Sequence, residues 1–333
     1  MDIISLVNGY GEKYSPYMGN LINNLPIGQL ALYKISGDTK KVEFLTKYVI
    51  KRKNFDRVKT RYPKVNSIEE CLGKRKLYES CLDIVKEDLN KYNKKEYISK
   101  ILNKYEFGMS SGLYHTLTRV YYAVDAFEKE EELIDEVARS LAYYITAYRE
   151  GDLFERSIDK SKVMEEAENL RNNSQIINLL ERKNTIGKKI RALYNYDKYL
   201  ELGFTIDGSP EDKIKSLLDF LLPTFLNTGN VVVFHCITGL QALAGLKNYY
   251  DNYERALDIL TTTITTHLLS AKKWEFTLNR KETVEFSWEY ILSLASQSTN
   301  IHNIEFASSL RELYKVYPTE DLKIAVLRKI DTL

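Results

Sequence analysis

The sequence predicts an all-α protein, a single domain over residues 1–333 of roughly a dozen helices, in one or two lobes around a central pocket. Two observations carry this. Chain breakers are scarce: 333 residues hold only 15 glycines and 6 prolines, with no proline from Lys64 to Ser209. Turn-dense β sandwiches and barrels need more. Apolar residues recur at i, i+3, i+4 and i+7 along most of the chain, whereas alternating strand patterns are nearly absent.

Each element has its own signal. Ser15-Pro16 and Ser209-Pro210-Glu211-Asp212 read as a cap, an N1 proline and, for the second, a first turn rich in acids. Ser67-Ile68-Glu69-Glu70 has capping-box spacing. Asp38 opens a stripe of Val42, Leu45 and Val49, and Ile98, Ile101, Leu102 and Tyr105 form the next. Leu113, Leu117, Val120, Tyr121 and Val124 follow Ser110-Ser111, and Leu133, Val137 and Leu141 continue the pattern. Ile214, Leu217, Leu218 and Leu221 follow the Ser209 cap. Val231 to Phe234 would suit a strand in isolation, but Gly239, Ala242 and Gly245 at helical spacing predict a tightly packed helix. Stripes around Leu257, Ile291 and Leu310 complete the series, and Thr319 caps a last short helix. The highly charged stretch near 155–185 reads as an exposed helix or a hairpin insertion and as the one candidate boundary.

Composition excludes several classes. Hydrophobic residues at 44% and charged residues at 28% are those of a soluble globular chain, not a disordered or collagen-like one. The longest apolar run, Val231 to Leu246, is shorter than the roughly 18–20 residues of a spanning helix. With no basic leader and three cysteines (Cys71, Cys81, Cys236) lacking a CxxC pair, the expectation is a cytoplasmic protein with reduced thiols and no membrane association. Residues 1–110 carry 21 Lys/Arg against 13 Asp/Glu, but these are interleaved without a recognition motif, so no nucleic-acid partner is expected. There is no phosphate loop, HExxH, EF-hand or nucleophile elbow, and Gly9-Tyr10-Gly11 fails the dinucleotide fingerprint because position 14 is Tyr14 and no strand precedes it. No Rossmann or flavin motif is present.

Chemistry then rests on four histidines. His115 shares a helix face with Arg119 and Tyr122, a set able to polarise an oxygen-rich substrate, imidazole shuttling a proton while guanidinium steadies an oxyanion. His235 lies in the most apolar helix beside Thr238 and must find a hydrogen-bond partner or a ligand there. His302 stands at a helix start after Asn300. His267, in a threonine-rich run, reads as structural. The bland alternatives are a satisfied core imidazole for His235, a helix-end residue for His302 and a simple ion pair for Arg119, with Asp125 or another acid.

Four patches in order, spanning about Ser15 to Tyr314, resemble the questin oxidase-like family. They are NNLPIGQLALYKIS with FLTKYV, GLYHTLTRVYYAVDA with LAYYITAY, VVVFHCITGLQAL, and NIHNIEFASSLREL. The family pattern has Asn-His-Leu-Pro in the first patch, Leu-His elements in the middle and Asp-x-His-x-Ile-Lys in the last. Its second, third and fourth histidines fall on His115, His235 and His302. The first falls on Asn24, the acid on Asn300 and the lysine on Glu305, three departures that leave the fold inference intact but not an unchanged reaction. The resemblance implies oxidation of a polyketide-derived aromatic, with NADPH and oxygen in the fungal namesake.

The leading expectation is an oxidoreductase acting on an aromatic or hydrophobic small molecule in a Tyr-lined pocket between helices. His115, Arg119, His235 and His302 would be catalytic, and Asn24, Tyr122, Thr238 and Trp288 would bind substrate. No residue is assigned to a metal in that reading. A non-catalytic binding protein that kept the pocket is the second reading. The third is a metalloenzyme in which His115, His235 and His302 share one ion. No sequence feature fixes an oligomeric state.

Overall fold

Caps and apolar stripes fix the elements of the computed structural model, which describes residues 1–19, 21–271 and 285–331. Helix α1 (Ile3–Gly11) starts at Asp2, whose carboxylate accepts from the Ser5 N–H. Ser15-Pro16 starts no helix. The Asn23 side chain donates to the Ser15 carbonyl and the Asn23 N–H to that of Pro16, which folds the segment into a short antiparallel pair, β1 (Tyr17–Met18) with β2 (Leu21–Ile22). Helix α2 (Leu25–Ser36) follows, and Asp38 caps α3 (Thr39–Arg52). The box expected at Ser67 closes differently: Glu70 accepts from the Asn66 N–H, and only a 3-10 turn forms over Glu69–Cys71. Next come α4 (Tyr78–Lys91), α5 (Lys94–Lys104), α6 (His115–Phe127) and α7 (Ile134–Thr146).

The charged stretch contains β3 (Ser157–Ile158), α8 (Val163–Arg171) and α9 (Ser174–Glu181), each helix burying a narrow apolar stripe such as Val163, Ala167 and Leu170. Beyond it lie α10 (Ile186–Tyr194), α11 (Tyr199–Leu202) and β4 (Thr205–Ile206), which pairs parallel with β3. The Ser209–Asp212 capping box opens α12 (Pro210–Thr228). Helices α13 (Val231–Gly245), α14 (Tyr253–Ala271), α15 (Trp288–Ala295), α16 (Ile301–Val316) and α17 (Glu320–Asp331) complete the chain. The protein is all-α. Among the described residues it has more helices than the stripes alone predict, because α8 to α11 are too short for a clear period. No described helix is long and apolar enough to cross a membrane.

Four helices occupy the centre: α2, α6, α13 and α16, with α6 and α16 each packed on α2 and on α13. All four run in the same direction. At one end Asn24 of α2 meets His302 of α16, and His115 of α6 meets His235 of α13. Two to three turns on, the contacts recur in register: Lys34 of α2 reaches Asp125 of α6 and Glu312 of α16, while Tyr121 of α6 lies against Gly245 of α13. Parallel neighbours cannot be joined by short loops. The helices between them in sequence, α3 to α5, α7 to α12, and α14 with α15, belong to the crossovers that return the chain to the starting end each time.

Two devices close the core. On α13, a β-carbon at Gly239 would lie 2.6 Å from the Tyr114 ring, and one at Gly245 would lie 2.2 Å from that of Tyr121, so the glycines let α6 and α13 approach. On α14, the threonine run feeds the buried tyrosines. Tyr114 donates to Thr263 at 2.9 Å, and the Tyr199 and Thr266 hydroxyls are 2.8 Å apart. Many of the 25 tyrosines therefore serve the core as bulk, and some of these, such as Tyr114 and Tyr199, have a satisfied polar tip. Gly239→Ala should overpack the α6–α13 contact and cost about 1–3 kcal/mol. Chemical denaturation checks this, and an unchanged midpoint would mean that Tyr114 moves aside freely.

Candidate functional site

A strained turn places His115. Gly112, Leu113 and Tyr114 have φ of 61, 57 and 64°, a left-handed run that is unfavourable for two residues with side chains. It is held by the Tyr114 ring against Gly239, by the Tyr114 hydroxyl on Thr263 and by Thr116, which donates to the Ser111 carbonyl at 3.1 Å. Such strain persists where surrounding structure over-determines it, commonly at functional sites. Here it turns His115, the first residue of α6, inward. His235 lies in the second turn of α13. His302 lies in the first turn of α16, its N–H accepted by the Asn300 cap.

The three rings converge. Centroid separations are 4.2 Å for His115 and His235, 5.3 Å for His235 and His302, and 6.3 Å for His115 and His302. One nitrogen from each lies within 4.8 Å of the others. His115 and His235 are buried, and His302 is half-buried at the rim. The hydrogen bonds assign tautomers. His115 Nδ1 is 2.7 Å from the Gly112 carbonyl, which can only accept, so Nδ1 carries the proton and Nε2 the lone pair. The Asn24 amide nitrogen, 3.3 Å from His302 Nε2, can only donate, so that nitrogen is also a lone pair. The His235 ring has no hydrogen-bond partner among the described residues.

All three imidazoles are held neutral. Burial is the main cause at each. At His235 the nearness of His115, His302 and Lys329 makes a further proton unfavourable in the same sense, and His302 is brought down to about 3 by burial, with His115, Lys329 and Lys53 adding to it. Neutral imidazoles with directed lone pairs are what a metal ion or a proton donor requires. Phe234 packs beside them, its ring centre 4.6 Å from that of His235 and 5.1 Å from that of His302, and Phe306 backs Phe234 at 5.0 Å.

One turn further along α13 and α16 lies a second polar layer. Thr238 donates to the His235 carbonyl at 3.3 Å and lies beside the Glu305 carboxyl, whose two oxygens have no hydrogen-bond partner among the described residues. Tyr122, expected at the substrate, places its hydroxyl 3.4 Å from the Glu305 carbonyl and from Ser309 Oγ. Glu305 is fully buried, with no ion pair among the described residues. Burial raises its carboxyl to about 8, offset only in part by Thr238. It is the protonated acid nearest in sequence to the cluster, and its position three residues after His302 is the signal that could have singled it out.

The cluster opens to solvent past His302. A cleft of about 300 Å³ is lined by Asn24, Tyr48, Val49, Arg52, Lys53, Thr299, Asn300, Ile301 and His302. Among the tyrosines only Tyr48 lines it, so the cleft is of mixed polarity rather than Tyr-lined.

The structure brings His115, His235, His302 and Asn24 together, with Thr238 and Tyr122 one layer deeper. It does not bring Arg119 or Trp288. The Arg119 guanidinium points away from the histidines to α7, where Nε and a terminal nitrogen sit 2.8 and 2.7 Å from Glu136 Oε1. The alternative partner, Asp125, pairs with Lys34 and Lys129 instead. Arg119 is therefore a buried structural ion-pair residue, because a guanidinium this deep stays only beside a countercharge. Trp288 packs on Tyr314 and Arg311, roughly 14–18 Å along α16 from His302 at 1.5 Å per residue. His267 is structural, its Nδ1 2.7 Å from the Thr263 carbonyl. The three cysteines are free and buried.

Neither a scan against protein-family models nor a search of curated proteins finds a match to the chain. The class defined by fold and site is an all-α protein with a buried three-histidine cluster.

Glu305 makes stability depend on pH. From about pH 4.3, where an unfolded glutamate ionises, to about 8, the folded chain keeps a proton that the unfolded chain has lost. Stability from this group is full below that window and falls as pH rises through it, by up to roughly 1.4 kcal/mol per unit. Glu305→Gln removes the slope. In denaturation of chelator-treated protein, the variant should gain on the wild type between pH 5.5 and 8.5; a constant difference would show that Glu305 ionises normally.

Proposed function

We propose that this protein is a small-molecule oxidoreductase of the questin oxidase-like kind, and that His115, His235 and His302 hold one transition-metal ion. The observation that carries the reading is the convergence of three neutral imidazole nitrogens within 4.8 Å. Nitrogens that each lie about 2.0–2.1 Å from one ion are at most about 4.2 Å apart, so a small closure of the rings suffices. The donor set suits zinc, iron or copper. The unpartnered His235 ring, 3% exposed, supports the reading further, since a buried imidazole without a hydrogen bond is costly unless a ligand takes its lone pair.

When bound, the ion supplies Lewis acidity and, if redox-active, a route for electrons, with coordination positions left for a substrate on the cleft side. The residues of the chain do the rest. The strained Gly112–Tyr114 turn and the Gly112 carbonyl orient His115. Asn24 holds His302, and Phe234, backed by Phe306, covers the His235 and His302 rings. Glu305, protonated at neutral pH, stores a proton one turn from the cluster.

The second reading, a binding protein without turnover, draws support from Asn24. This side chain stands where the family pattern has a histidine and offers an amide in place of a fourth imidazole. Metal analysis of the purified protein should find about one transition-metal ion per chain. His115→Ala should keep its helical circular dichroism yet weaken that metal by more than the roughly 10–100-fold typical of losing an outer-shell partner. Oxygen uptake with a polyphenol, with and without NADPH, separates enzyme from binding protein. Unchanged metal content in His115→Ala would overturn the proposal.

A further inference from the structure

The cleft beside the cluster carries positive charge with no acid among its described lining residues to balance it. Of its lining residues, Arg52 and Lys53 are cationic, and none of the others is a carboxylate. Arg52 is fixed in place, its guanidinium 3.6 Å from the centre of the Tyr48 ring. Neither Arg52 nor Lys53 has an acidic partner among the described residues.

The backbone adds to this. Helices α2 and α16 begin at the cleft, at Asn24 and Asn300, and α6 begins with His115 behind it. Each N-terminus contributes about half a positive charge along its axis. The Asn24 side chain makes no cap bond to its own helix. The Leu25 N–H donates to Asn23 Oδ1 at 3.2 Å and Pro26 has no N–H, so this helix end acts on the cleft through its dipole. Asn300 caps α16 by accepting from His302, so its amide nitrogen remains for a ligand.

A cleft of about 300 Å³ with these walls fits a small molecule, not a macromolecule. We propose that it binds the oxyanion head group, a carboxylate or a phosphate, of the molecule on which the histidine cluster acts. Arg52 and Lys53 attract the head group and Tyr48 packs beside it, while the rest of the ligand reaches His302. The inference rests on the proposed catalytic cluster for the ligand's fate, and on the cleft alone for its charge.

Binding is measured by calorimetry with two probes, benzoate and inorganic phosphate, at constant ionic strength, with benzamide as the neutral control. At least one anion should bind and benzamide should not, and the anion that binds better identifies the head group. In the double variant Arg52→Gln/Lys53→Gln, affinity for that anion should fall about tenfold, the combined effect of two exposed charges. Both residues are exposed, so the variant keeps its fold, and metal content measured on the same samples should not change. Failure of both anions, equal binding of benzamide, or equal affinity in the variant would overturn the proposal. Anion binding in protein that takes up no metal would sink the catalytic reading and leave this one standing.

Discussion

The architecture turns on four parallel helices whose first or second turns meet at one place. Aligned helices bring like ends together, so the positive ends of α2, α6 and α16, with α13 starting one turn beyond, gather around a small volume. Anions or neutral lone pairs suit the interior of such a place, and the two cationic side chains nearby, Arg52 and Lys53, stay exposed at the cleft. Three neutral imidazoles and an asparagine amide occupy it. At the opposite end, where the carbonyl ends gather, Lys34 answers by pairing with Asp125 and Tyr121. The long crossovers, the glycine contacts on α13 and the strained turn before α6 all follow from holding four parallel helices this close.

Much of the fold was legible because it depends on local signals. The stripes of α3, α5, α7 and α12 to α16 and the caps at Asp38, Ser209 and Asn300 are written in adjacent residues. Gly239 and Gly245 correctly reported close packing. Ser15-Pro16 and Ser67 misled because a cap is only a local option: Asn23 and Asn66 offered competing hydrogen bonds, and those won. The short helices α8 to α11 escaped because fewer than three turns carry too little periodicity.

The site was legible in part. Scarcity drew attention to His115, His235 and His302, whereas helical spacing assigned Arg119 wrongly. Residues at i and i+4 share a face, but a long side chain follows its countercharge, and Glu136 lies on the neighbouring helix. Trp288 shares a helix pair with the site but not a position along it. Glu305 was visible only as a departure from a pattern. Its protonated, buried state arises from packing by Thr238 and Tyr122, which are remote in sequence.

The central claim is that three histidines distant in sequence form one binding centre. Its most direct test is anomalous diffraction from crystals grown with zinc. The account predicts a single internal peak about 2.0–2.1 Å from one nitrogen of each of His115, His235 and His302. A structure with the three rings turned apart and zinc held only at surface carboxylates would contradict it.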